Sequence, residues 1–164
     1  MNVPTMSWQA SASETAASEA PPVNRMVIAV LSLVGFFIAF YLLAHTLGWT
    51  GPLVCGVGEC STVQSSRYAW VGPVPVSGIG LVGYLVLLGL SVLGIQPAWR
   101  SSGGVGVLLL GASTVGLAYS AYLTYLEAAV IRAWCQWCVM SAILATLIFL
   151  ASLPEVGRMR RRSP

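Results

Sequence analysis

Four stretches of this chain, residues 26–47, 76–95, 105–126 and 134–153, contain no Arg, Lys, Asp or Glu. A helix rises 1.5 Å per residue, and a bilayer's hydrocarbon core is about 30 Å thick, so about 20 apolar residues suffice to cross it. A charge held at mid-membrane costs roughly 2.5 to 3.5 kcal/mol on insertion scales, which makes four clean windows in one short chain a strong constraint. The expected fold is all-α: an integral membrane four-helix bundle with an outward-facing loop carrying a short helix. Composition agrees, because only 8% of the residues are charged, against about 25% in an ordinary soluble domain.

The few charges are unusual in kind. Every cation is Arg and every acid is Glu. Lysine Schiff-base chemistry and aspartyl catalysis are thereby excluded, and a net charge of +3 is too small and too dispersed for a phosphate-neutralising nucleic-acid surface. Positive residues near span ends stay in the cytoplasm. Arg25, Arg100, Arg158, Arg160, Arg161 and Arg162 fall on one side of the four windows and only Arg67 and Arg132 on the other. Both termini are expected in the cytoplasm, in a multi-pass inner or plasma membrane protein, with segments 48–75 and 127–133 facing outward. Residues 1–25 read as a disordered cytoplasmic tail, residues 26–153 as the membrane domain, and residues 154–164 as a basic cytoplasmic tail.

Some conspicuous motifs carry little. Gly78, Gly80 and Gly83 match the spacing of a dinucleotide-binding fingerprint, but they open a membrane span with no strand before them. Close helix packing explains them better, and the same holds for Gly106, Gly111 and Gly116. His45 is the sole histidine and reads as a hydrogen-bonded structural residue, with a catalytic base role as the alternative. Trp49, Trp70, Trp99, Trp134 and Trp137 fall near span ends, as an interfacial aromatic belt does.

Cysteines are almost the only reactive groups left, and all four lie in or beside the outward segments. Cys55 and Cys60 sit in the first loop; Cys135 and Cys138 form a Cys-Gln-Trp-Cys motif where the last span begins. Two intervening residues are the spacing of a redox dithiol. A cysteine in the first turn of a helix also feels unpaired N–H groups that favour thiolate, and Arg132 is expected to push the same way. Cys135 is expected to be the more solvent-accessible of the two, with Cys138 facing the membrane interior. Three readings fit the four residues: two static disulfides stapling a non-catalytic tetraspan scaffold, a four-cysteine zinc site, and a relay of two redox pairs. A relay has its own logic, since a water-soluble dithiol and a lipid-soluble acceptor occupy different solvents and two pairs can join them.

The order of these features resembles the vitamin K epoxide reductase family in its bacterial disulfide-forming branch. The resemblance covers residues 26–153 and rests on four elements. A cysteine pair follows the first span; Cys60-Ser-Thr-Val-Gln-Ser-Ser-Arg-Tyr68 follows it, with Ser66 at the family's characteristic serine. Gly72-Pro-Val-Pro75 then leads into Gly80-Leu-Val-Gly-Tyr84, and Tyr122-Leu-Thr-Tyr-Leu-Glu127 runs into the second pair.

That resemblance implies a membrane thiol:quinone oxidoreductase. A thioredoxin-like, DsbA-type extracytoplasmic protein would attack a Cys55–Cys60 disulfide at Cys55, Cys60 would attack Cys135, and Cys138 would be released as the thiolate that reduces a menaquinone or ubiquinone. Ser66 and Cys138 would contact the quinone. Two departures bear on the substrate. The vertebrate enzymes hold vitamin K with an asparagine in the bundle and a tyrosine four residues after the second pair; here that position is Ala142, and the asparagines are Asn2 and Asn24. Simple quinone reduction is therefore expected rather than epoxide reduction. Since only 11 residues follow the last window, the thiol partner is expected to be a separate protein.

Overall fold

The computed structural model describes residues 23–100 and 102–160. Its architecture is an all-α bundle of four helices long and apolar enough to cross a membrane. Helix α1 spans Val23–Thr46. A loop follows and carries the short helix α2, Cys60–Gln64, a 3-10 turn at Arg67–Ala69 and a two-stranded antiparallel ribbon of β1, Trp70–Val71, and β2, Val74–Pro75. Gly72 makes the turn of that ribbon at φ 62°, a left-handed conformation that favours glycine. Helix α3 is Val76–Ile95, α4 is Pro97–Arg100, α5 is Gly103–Tyr125, α6 is Gln136–Ser152 and α7 is Pro154–Arg160.

The helices form a ring in which α1 packs on α3 and α6, and α5 packs on the same two neighbours. Ile28, Ala39, Tyr84, Leu87, Leu109 and Ile148 make the centre. The Tyr84 ring lies against Gly35, and its hydroxyl reaches the Ser141 hydroxyl at 2.8 Å, tying α3 to α6. Outside, Val30, Phe37, Val82 and Val115 are all exposed. An apolar shell of that extent would aggregate in water; lipid tails are its natural solvent.

Several boundaries differ from the sequence reading. Residues 23–25, expected in the leading tail, begin α1, and Arg25 is buried at 2% exposure. Its guanidinium donates to both carboxylate oxygens of Glu155 at 2.9 Å and to the Gly94 carbonyl at 2.8 Å. Asn24 adds a third bond to the same carboxylate at 2.8 Å. Glu155 was expected in the trailing tail; instead Pro154, well suited to a first helical turn, starts α7 and turns Glu155 inward against Gly106. The parts of the expected tails at 1–22 and 161–164 lie outside the described residues. The third window was drawn to end before Glu127, whereas the helix continues through it as a π-helix, Leu126–Ile131.

Candidate active site

The four cysteines gather at one end of the bundle in two different redox states. Cys55 and Cys60 are joined in a disulfide with Cα atoms 6.0 Å apart; Cys135 and Cys138 are free thiols. Cys60 opens α2 and is buried at 1% exposure, and together with Val63, Ala133 and Cys135 it forms one compact cluster. Among the described residues, no group of three or more His, Cys, Asp or Glu is arranged to hold a metal.

Local structure explains how the loop meets the second pair. The π-helix ends at Arg132, which takes a left-handed conformation with φ 56° and ψ 33°. The chain then runs extended over residues 133–135, and Gly58 forms an antiparallel bridge with Cys135. The Glu59 N–H donates to the Trp134 carbonyl at 2.8 Å, and the Val57 N–H donates to Gln136 Oε1 at 3.1 Å. Gly58 has φ 90°, and a Cβ there would strike the Trp134 carbonyl oxygen. One residue upstream of Cys55, Val54 is clamped on both backbone groups. Its N–H donates to the Tyr41 hydroxyl at 3.2 Å and its carbonyl accepts from the Trp137 indole at 3.0 Å. The Tyr41 and Trp137 rings lie 5.2 Å apart.

This geometry reverses one expectation. Cys135 is fully buried, at 0% exposure, and Cys138 is the half-buried member. The reason is the loop, which pairs with the extended segment and roofs Cys135 over. Cys135 lies at the N-cap of α6, ahead of the spanning segment. The hydrogen bond from the Cys138 thiol, helped by the backbone N–H groups of Cys138 and Trp137, lowers its pKa from the ordinary 9.0 to about 7, against burial and the nearby Glu127. The helix-terminus argument thus holds, whereas Arg132 acts through its backbone turn and its side chain is exposed.

Cys138 lines a cavity of about 550 Å³ between α1, α3, α5 and α6, within the 300 to 1,000 Å³ usual for small-molecule sites. Its wall is mostly aliphatic, with Ser66, Glu127, Tyr119 and Ser141 among the polar groups. Ser66 donates its hydroxyl to the Val63 carbonyl at 2.7 Å, closing α2, and also borders the cavity. Gln64 Nε2 lies 3.7 Å from the Cys138 sulfur. Gly83, Gly111 and Gly116 border the same space, and a Cβ on any of them would meet nothing within 4 Å. These glycines leave room for the cavity instead of drawing helices together, which corrects the packing reading for them. Such a space has apolar walls, a sulfur at one end and hydrogen-bonding groups beside it, and can hold a flat apolar ligand.

A match to the model of the vitamin K epoxide reductase family covers residues 26–153. The chain belongs to that family. A family relative, the thiol-disulfide oxidoreductase LTO1 of Arabidopsis thaliana, is 34% identical over 105 residues, which is 62% of this chain and 28% of the relative. The chain thus spans little more than a quarter of that relative's length. Family membership, with that relative's name, supports redox chemistry on thiols.

Several residues that shape the site were not singled out from sequence. Trp137 was assigned to the interfacial belt, yet it holds the loop beside Cys55. Glu127 was taken as a span boundary, yet it is buried at 4% exposure and its Oε2 accepts the Cys135 N–H at 3.1 Å. A carboxylate inside a stretch that stays apolar to Ile131 was the available signal, since intramembrane acids are seldom idle. His45 does not line the cavity, and its Nδ1 is buried without a hydrogen-bond partner among the described residues.

Proposed function

We propose that this protein is a membrane thiol:quinone oxidoreductase that oxidises a thioredoxin-like protein and passes the electrons to a menaquinone or ubiquinone. One observation carries the reading: a disulfide at Cys55–Cys60 packs directly on the free pair, and the far member of that pair, Cys138, opens into an apolar cavity. Both termini are assigned to the cytoplasm, and the cysteine end faces outward, where an extracytoplasmic DsbA-type dithiol can reach it.

The chemistry follows from the order of exposure. Cys55 lies in the exposed loop and is the sulfur a partner thiolate reaches. Attack there releases Cys60, which is buried against Cys135 and has that sulfur as its neighbour. Once Cys135 and Cys138 have been oxidised to a disulfide by the quinone, the Cys60 thiolate attacks Cys135 along that S–S axis, and the Gly58–Cys135 bridge together with the Val54 clamp holds the loop for it. Cys138 leaves as a thiolate at the cavity wall; the partner's second thiol then displaces Cys55, which takes Cys60 back into a disulfide and leaves Cys135 and Cys138 reduced for the next quinone. The quinone contributes a lipid-soluble two-electron sink, and Cys138, Ser66 and the aliphatic wall would hold it.

The decisive experiment mixes purified protein, a reduced dithiol partner and a soluble quinone. Partner oxidation coupled to quinone loss is expected, and it should vanish in Cys135→Ala. Quinone-independent turnover, or full activity of Cys135→Ala, would overturn the reading in favour of a disulfide-stapled scaffold. Trapping separates the same two: Cys138→Ser accumulates a Cys60–Cys135 bridge in a relay and leaves a scaffold unchanged.

A further inference from the structure

Reduction of a quinone by two thiols is a proton problem as much as an electron problem. Two S–H bonds break, one S–S bond forms, and two electrons and two protons must reach the quinone to give a quinol. Cys135 ionises near neutrality, so its proton has left before the disulfide forms. Cys138 sits at the cavity wall, where its proton needs a local acceptor.

Glu127 is placed for that role by several independent features. It occupies a π-helix, a rare insertion that re-aims side chains and recurs at functional sites. Its backbone is locked, because its carbonyl accepts the N–H groups of Arg132 and of Ala133, the latter at 3.2 Å. Arg132 holds that turn in a left-handed conformation costly for a residue with a Cβ. The side chain bonds the Cys135 N–H, the Cys138 thiol is its other hydrogen-bonding neighbour, and the carboxyl forms part of the cavity wall. Among the described residues no cation pairs with it; the Arg25–Glu155 ion pair lies at the opposite end of the bundle. A carboxylate serving only as a strut for the Cys135 N–H would be replaceable by an amide.

We propose that Glu127 is the proton carrier of the site, taking the Cys138 proton as the Cys135–Cys138 disulfide forms and delivering it to a quinone oxygen in the cavity. The second quinone proton comes from water, balancing the one that Cys135 gives up, and the carboxylate is regenerated each cycle. This assignment rests on the quinone-reduction reading above.

The test compares wild type, Glu127→Gln and Glu127→Asp as full-length protein in detergent. Glu127→Gln keeps an acceptor for the Cys135 N–H but cannot carry a proton. Its reduced form should reduce a soluble short-chain quinone about 100-fold more slowly or worse, as loss of a general acid–base group does, while quinone-free exchange of the Cys55–Cys60 disulfide with a reduced dithiol stays within about twofold. Glu127→Asp should retain more activity than Glu127→Gln. A second readout needs no quinone: infrared difference spectra between the chemically reduced and oxidised protein should contain a protonated-carboxyl band that shifts in Glu127→Asp and disappears in Glu127→Gln. Wild-type quinone reduction by Glu127→Gln, or a difference spectrum without that band, overturns the assignment. If Glu127→Gln does not fold, the band shift in Glu127→Asp decides it. Failure of the wild-type protein itself to reduce quinone removes the parent reading and the carrier with it, an outcome distinct from a defect confined to Glu127.

Discussion

Alanine at Gly58 should uncouple the two cysteine pairs while leaving the bundle intact. The new Cβ meets two separate obstacles. With φ at 90°, any L-residue with a Cβ is strained by roughly 1 to 2 kcal/mol. The same Cβ strikes the Trp134 carbonyl oxygen, so the loop must lift and surrender the 2.8 Å bond from Glu59 to that oxygen, a loss of about 0.5 to 1.5 kcal/mol. A total near 2 kcal/mol lowers the docked population about 30-fold, at 1.36 kcal/mol per factor of ten. Only the docked loop presents Cys60 to Cys135. The assay uses a Cys138→Ser background, in which the Cys135 thiolate attacks the Cys55–Cys60 disulfide at Cys60 and Cys55 leaves as a thiol, and follows the resulting Cys60–Cys135 bridge by quenched flow after a jump from acid to alkaline pH. Gly51→Ala is the control, because a Cβ there meets nothing within 4 Å and its φ is not positive. Bridge formation in Gly58→Ala at the Gly51→Ala rate would refute the claim that backbone pairing delivers the loop sulfur.

Three further outcomes are expected. Arg25→Ala should destabilise the protein by about 3 kcal/mol, since it removes the guanidinium that bonds both oxygens of the buried Glu155 carboxylate, whereas Arg25→Met combined with Glu155→Leu should recover most of that loss; thermal unfolding in detergent measures both. The ultraviolet thiolate absorbance of Cys135 should rise with pH through a midpoint near 7, because the thiolate fraction grows as pH passes the lowered pKa. In Cys138→Ser, which removes the thiol that contributes most to the lowering, the midpoint should move upward. Finally, Gly83→Phe should project a ring into the cavity and raise the quinone KM at least about tenfold while quinone-free thiol exchange continues.

The helices were legible because membrane insertion depends on length and charge, and both are visible along the chain. The cysteine pairs were legible because their spacing is itself chemistry. What escaped lies where one residue serves two roles. Glu127 looked like a boundary because a charge ordinarily ends a span; only the π-helix and the folded-back Cys135 N–H reveal an acid kept inside. Arg25 and Glu155 were likewise read as flanking charges, and their pairing depends on helices whose sequence separation is 130 residues. Exposure of Cys135 was judged from its place at a helix start, which says nothing of a loop that covers it. The cavity left a trace in Gly83, Gly111 and Gly116, but the same letters also spell close helix contact.

The clasp of Arg25 on Glu155 has a consequence for biogenesis. The arginine precedes its counter-ion by 130 residues, so during translation the first helix carries its cation before Glu155 has been made. It must wait at the lipid headgroups, where water can solvate it, until the last helix arrives. Final seating of α1 is thereby timed to completion of the ring, and a chain halted before Glu155 keeps its first helix unseated and recognisable to quality-control machinery.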